Sequence, residues 1–158
     1  MFDTKSIFFE NIHTHRFLAE VLSDCALRKP ALFLDVLRSE VDDGGIDLSL
    51  SSGEQTRHIQ LKARTDETIP PNPYQISDRL LAAVGGAVIW IRYSKTTLAR
   101  TDYFALVGAL DERISDFSQF KPAMNKKGKP RKGYSLVPMR SANHKNLSVP
   151  ELTRLLFP

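Results

Sequence analysis

Asp47, Gln60 and Lys62 are the side chains whose types and spacing can do chemistry together. Ile46 to Ser51 alternates, with Ile46, Leu48 and Leu50 on one side and Asp47, Ser49 and Ser51 on the other. Such alternation marks a half-buried strand. Arg57 to Ala63 alternates as well, placing Ile59, Leu61 and Ala63 against His58, Gln60 and Lys62. The intervening Ser51-Ser52-Gly53-Glu54-Gln55 is a hairpin connection, and a turn begun by glycine favours type II′ geometry. With Gly53-Glu54 as the turn, Ser52 faces Gln55, Leu48 faces Ile59 and Asp47 faces Gln60; a four-residue loop keeps the same parity. Asp47, Gln60 and Lys62 then share one sheet face. Gly44 and Gly45 add no side chain there and leave room beside Lys62. A carboxylate, an amide oxygen and an ammonium so arranged suit Mg²⁺ and a phosphate. Mg²⁺ takes oxygen ligands, often only one or two carboxylates, and completes its shell with water and substrate phosphate. A lysine beside it can orient attacking water and offset developing negative charge. The plain alternative is a solvated polar cluster, the common fate of an outer sheet face.

These residues need elements to hold them. Asn11 to Leu27 is predicted as a helix, with Phe17, Leu18, Val21, Leu22 and Cys25 forming its apolar stripe. Asn11 or Thr14 is expected to cap it, and Pro30 limits its end. Glu20 lies off the stripe's centre, level with His13, Phe17 and Asp24, so it can face a cleft beside the core. Leu32 to Arg38 is expected to be a strand ended by the turn-like Asp42-Asp43-Gly44-Gly45. Arg64 to Asn72 is expected to be a polar loop. Pro73 to Val84 has helical spacing at Ile76, Leu80, Leu81 and Val84, with Gly85-Gly86 as its stop. Ala87 to Tyr93 is nearly all apolar and suits a strand buried on both faces; Tyr103 to Val107 follows as another. Lys121 to Gly133 is expected to be a flexible basic loop, with a short strand at Tyr134 to Pro138. Pro150 and Glu151 open a last helix near Ser148, packed through Leu152, Leu155 and Leu156.

Composition bounds the answer. The 158 residues fit one domain, 1–158, whose part from 117 to 158 holds the basic loop and the last helix. With 42% hydrophobic and 25% charged residues the chain is of ordinary globular make-up. No apolar run approaches the roughly 18 residues of a membrane span, and no charged-then-apolar leader is visible. One cysteine, Cys25, excludes an internal disulfide and a multi-cysteine zinc site, so a cytoplasmic location is expected. The net charge of +4 is unevenly spread. From Phe117 onward there are nine basic residues and one acid, Glu151; the preceding part holds 13 basic and 17 acidic residues. Lys126, Lys127, Lys129, Arg131 and Lys132 concentrate that charge and suggest a polyanion partner, although a charge run alone is better explained as a solvated lysine-rich loop.

The order of these features resembles the PD-(D/E)xK superfamily, the restriction-endonuclease-like nucleases. A glutamate on the first helix is followed by Gly45-Ile46-Asp47, a hairpin, Gln60-Leu61-Lys62, a helix and an apolar strand. The Gly-Ile-Asp and Gln-x-Lys form is similar to the Mrr-like branch. His15-Arg16-Phe17-Leu18-Ala19-Glu20, Glu40-Val41-Asp42-Asp43 and His58-Ile59-Gln60-Leu61-Lys62 also resemble segments of bacterial proteins with that fold. The resemblance spans about Asn11 to Val107. It implies an α/β fold with an αβββαβ core, its mixed central sheet flanked by helices. It further implies a Mg²⁺-dependent endonuclease (Mn²⁺ substituting) that acts on DNA in preference to RNA and admits a homodimer for cutting two strands. Asp47 would be the principal metal ligand, Gln60 the variable acid position, Lys62 the catalytic lysine and Glu20 the acid of the first helix, with Glu10 its rival. Glu40 and Asp43 are further metal candidates. Glutamine is neutral, so the site has one negative charge fewer than the family's usual pattern. That implies weaker metal binding or greater reliance on Glu20 and the substrate phosphate. A nuclease-fold module that binds nucleic acid or a protein without cleaving is the competing class.

The remaining signals are weaker. His13 and His15 are two apart on a helix and face different sides. Cys25 and Trp90 are expected in the core. No GxxxxGK[ST] or GxGxxG stretch supports ATP hydrolysis or dinucleotide binding.

Overall fold

Phe17, Val21 and Cys25 recur every four residues on the first helix, and all three are buried. The computed structural model describes residues 4–39, 44–66, 72–114 and 118–158. Helix α1 runs over Thr4–Arg28 and is followed by β1 (Asp35–Arg38), β2 (Leu48–Ser52) and β3 (Gln55–Thr65). Next come β4 (Tyr74–Ser77), the short α2 (Asp78–Ala82), β5 (Gly86–Tyr93) and β6 (Arg100–Val107). The chain ends with β7 (Lys121–Met124), β8 (Pro130–Val137), a single 3₁₀ turn, β9 (His144–Leu147) and α3 (Val149–Leu156).

Six strands form a central sheet in the order β1-β2-β3-β5-β6-β9. Only β3 and β5 pair in parallel, with Lys62 beside Trp90; the other neighbours are antiparallel, so the sheet is mixed. A crossover through β4 and α2 makes the parallel pair possible, because parallel strands cannot be joined by a tight turn. β4, β8 and β7 form a second, three-stranded sheet.

Strand alternation divides the core in two. Leu48, Leu50, Ile59, Ile89, Ile91, Tyr103 and Ala105 face α1 and α3. Val88, Trp90, Phe104 and Leu106 face the other way, toward Ile76 of β4, Leu80 and Leu81 of α2 and Val137 of β8. Burial of one such large side chain is worth roughly 1.5–3 kcal/mol, so β5, covered on both sides, anchors the molecule. No helix among the described residues is long and apolar enough to cross a membrane.

From Leu48 on, the hairpin follows the alternation: Leu48 pairs with Ile59 and Ser52 with Gln55, and Gly53 takes φ 60° at the turn. Ile46, expected on the face of Leu48 and Leu50, packs instead with the cluster around Trp90, because β2 begins only at Leu48. Four elements differ from the sequence pattern, among them β9, an edge strand of the central sheet where that pattern predicts no strand. The first helix starts near Thr4, so Asn11 and Thr14 lie inside it and cap nothing; the Thr14 hydroxyl bonds back to the Glu10 carbonyl at 2.9 Å. Pro73 to Val84 is not one helix. Tyr74–Ser77 pairs with β8, and only Asp78–Ala82 is helical. Ile76 and the two leucines are buried in either arrangement, so helical spacing did not discriminate, and Val84 is exposed. Lys121 to Gly133 is not a loop but the hairpin β7–β8, closed by a turn at Asn125–Lys129. Asn125 makes that turn, its side-chain oxygen accepting the backbone N–H groups of Lys127 and Lys129.

Candidate functional site

The chain at the open end of β2 diverges from β3 and makes a fork. The paired ladder ends at Leu48 and Ile59, with one further bond from the Asp47 N–H to the Ile59 carbonyl. Gly45 and Gly44 then carry the chain away with φ of 67° and 90°. The next N–H of β3, that of Leu61, donates to the Asp47 carboxylate at 2.7 Å. Asp47 thus closes the ladder with its side chain, and this bond fixes the carboxylate at the fork.

Gln60 lies across from it, on the same face as Val88 of β5. Gln60 is 5% exposed, and its Oε1 has no hydrogen-bond partner among the described residues. A buried amide oxygen left without a partner costs on the order of 1–3 kcal/mol, so a ligand for it is worth seeking. The glycines explain how Gln60 is enclosed. A Cβ on Gly45 would come within 2.7 Å of the Ser77 Cβ and 3.4 Å of the Gln60 amide nitrogen. Gly45 is therefore the one residue that fits between β3 and the end of β4. A Cβ on Gly44 would meet the Arg79 guanidinium at 3.0 Å. Arg79, Ser39, Ile46, Ser49 and Leu37 line a cleft of about 210 Å³ beside the fork.

Lys62 follows Gln60 on the same face, half-buried and next to Trp90. It forms no salt bridge among the described residues. Trp90 meets Tyr74 edge to face, with ring centroids 6.1 Å apart. Burial pushes the Tyr74 hydroxyl's pKa up, so this wall stays uncharged beside the lysine. His58 shares the face too, and its Nδ1 is 3.0 Å from the Ser49 hydroxyl.

Glu20 does not join this group. It sits on α1, on the opposite face of the sheet, where Tyr103 and Arg100 of β6 hold it. Its Oε2 accepts from the Arg100 Nε at 2.8 Å and from the Tyr103 hydroxyl at 2.5 Å. Burial first, and then the bond to Glu20, push the Tyr103 hydroxyl's pKa far up. An acid off the stripe's centre does reach beside the core, but the waiting partner is a buried tyrosine and an arginine. Glu40 and Asp43 lie outside the described residues. Among those described, no three His, Cys, Asp or Glu side chains gather to hold a metal. The Asp47 carboxylate is held at the N–H of Leu61, the residue that follows Gln60 on β3, and both side chains, those of Asp47 and Gln60, carry oxygen donors of the hard kind.

Lys126, Lys127, Lys129, Arg131 and Lys132 are all exposed on the β7–β8 hairpin. His13 and Cys25 belong to the core: His13 stacks on Tyr93 with centroids 4.0 Å apart, and burial lowers its pKa, while burial raises that of the Cys25 thiol. The sequence reading missed Ser77 and Arg79, the residues packed over Gly45 and Gly44. The paired glycines were their one visible trace, since two adjacent residues without side chains leave space that something fills.

No protein-family model matches the chain, and no curated protein matches it.

Proposed function

We propose that the protein is a Mg²⁺-dependent nuclease acting on DNA, with a restriction-endonuclease-like core and its site at the β2–β3 fork. One observation carries the reading: the buried Oε1 of Gln60 has no hydrogen-bond partner among the described residues, and the next residue's N–H, that of Leu61, fixes the Asp47 carboxylate. The element order α1, β1-β2-β3, α2, β5, with β3 and β5 parallel, supports the core assignment.

Asp47 and Gln60 would hold the cation, with the remaining positions left to water and a phosphate oxygen. When bound, Mg²⁺ supplies Lewis acidity at the phosphoryl group. Lys62 orients the attacking water and offsets charge on the phosphoryl oxygens. Lys62 pairs in register with Trp90 and is half-buried, and an ammonium less exposed to water attracts an anion more strongly. Arg79 stands over the cleft to receive a phosphate.

A binding module that does not cleave is the second reading. The engagement of Glu20 by Arg100 and Tyr103 favours it, because the fork then has a single carboxylate among the described residues. Plasmid cleavage with Mg²⁺ or Mn²⁺ separates the two. Wild type is expected to nick or cut, and Asp47→Ala and Lys62→Ala to lose at least a hundredfold in rate, the scale of a general acid–base or electrostatic contribution. Cleavage retained by both variants would remove the site assignment; no cleavage by wild type, with DNA binding intact, would select the module.

A further inference from the structure

We propose that the β7–β8 hairpin is a preformed cationic finger that grips double-stranded DNA presented to the β2–β3 fork, so that the substrate is duplex. This rests on the nucleic-acid reading of the fork and adds the form of the substrate and the element that selects it.

The finger is built rather than floppy. The Arg131 guanidinium donates to the Gln75 side-chain oxygen at 2.6 Å and stacks on the Tyr134 ring at 3.7 Å. The Gln75 amide reaches the Met124 carbonyl at 3.3 Å, tying β4 to β7, and Asn125 fixes the tip. The Ser135 hydroxyl donates to Asp78 at 2.6 Å, which holds β8 to the start of α2. Ordering long lysine side chains on a fixed ribbon costs less when they bind, because the backbone is already in place.

The finger points from the right place. Ser77 pairs with Tyr134 and Tyr74 with Val137, so residues 125–133 run past the Ser77 end of β4. Ser77 is the residue packed on Gly45 at the fork. Gly133, with φ 81°, and the register shift between Pro122 and Met124 bend the ribbon, and Asn125–Lys129 makes its tip.

Its chemistry selects a duplex. From Phe120 to Tyr134 there are six basic residues and no acid. The tip has no aromatic side chain, and Tyr134 is already covered by Arg131. Single-strand binders rely on aromatic rings for base stacking, which this ribbon does not offer. Lysines alone address phosphates, and a two-stranded ribbon fits the major groove, about 12 Å wide.

The test uses the full chain carrying Asp47→Ala, which binds without cutting. Lys126→Gln, Lys127→Gln and Lys129→Gln are combined and compared with a control that neutralises Arg140, Lys145 and Arg154, exposed cations outside the hairpin. Binding to a 24-base-pair duplex and to a 24-nucleotide single strand is titrated against salt. The hairpin variant is expected to lose at least about tenfold in duplex affinity at 0.1 M salt, with a log–log slope shallower by about 2.7. The control is expected to keep its slope and the single-strand affinity to change less than twofold. Unchanged duplex affinity in the hairpin variant, an equal loss in the control, or an equal loss on single strands each overturns the proposal. Cleavage by wild type is scored separately, so a failed nuclease reading and a failed finger give different results.

Discussion

Gln60 concentrates the question of function in one atom. Its Oε1 is buried without a partner, and its neighbours are packed so closely that Gly45 admits no side chain. An amide there leaves the fork with one fixed carboxylate, Asp47. Gln60→Glu would restore a second. Without a cation, a buried carboxylate beside Asp47 costs on the order of several kcal/mol, through desolvation and like-charge repulsion. With a bound cation that cost is offset, since ligand at a hundred times its Kd adds about 2.7 kcal/mol. The expected outcome is a variant that melts below wild type in EDTA and regains more than wild type does when Mg²⁺ is added. Thermal melting across a Mg²⁺ series reads this directly, and a melting point indifferent to Mg²⁺ in both proteins would remove Gln60 from any metal site. The reach of the sequence is clear at this scale. Period-two alternation put Asp47, Gln60 and Lys62 on one face, because strand parity is fixed by backbone geometry. It was silent on Glu20, because a helix position says how far a side chain can reach and not which of two sheet faces it finds.

Among the elements, the hairpin β2–β3 and the buried strand β5 were legible, and β4 and β7 were not. Alternation and a glycine turn specify a hairpin locally. Tyr74–Ser77 becomes a strand only because β8 lies beside it, a partner almost sixty residues away that no local window contains. The same distance hides the role of Arg57. It sits on β3 at 1% exposure, yet has no carboxylate partner among the described residues; its guanidinium instead donates to the carbonyls of Leu155 and Leu156 on α3 and of Gly108 after β6. These bonds satisfy the end of α3, whose last carbonyls have no partner within the helix. They also tie three separate elements together. Burial lowers the Arg57 pKa, but a guanidinium begins so high that it stays charged. Arg57→Met keeps the apolar volume and strands those carbonyls, so a loss of about 3–5 kcal/mol is expected. Arg57→Lys is expected to recover little of it, because one ammonium cannot span the set. Urea unfolding measures both, and a loss under about 1 kcal/mol for Met would mean that α3 does not depend on this staple.

Over the whole molecule, the central sheet separates two kinds of polar cluster. Glu20, Arg100 and Tyr103 lie on the α1 side and Gln60 and Lys62 on the α2 side, with the Asp47 carboxylate bonded to the Leu61 N–H where β2 and β3 part. The first is mutually satisfied and partly screened from solvent; the second has a cation and an amide oxygen without partners among the described residues. The positive net charge is likewise divided, with the hairpin projecting its lysines from the side of the fork. Glu20→Gln is expected to cost about 1–2 kcal/mol, the scale of hydrogen bonds to a charged group that is not fully exposed, and to leave the Mg²⁺ response intact. Asp47→Ala is expected to abolish that response. Because the clusters share no partner and face opposite ways, the double variant's stability in EDTA should equal the sum of the single effects within about 0.5 kcal/mol. Urea unfolding of the four proteins, with and without Mg²⁺, completes the cycle. A Glu20→Gln protein that has lost its Mg²⁺ response, or a coupling energy above about 1 kcal/mol, would mean that Glu20 does communicate with the fork, and that the first-helix acid belongs to the metal site after all.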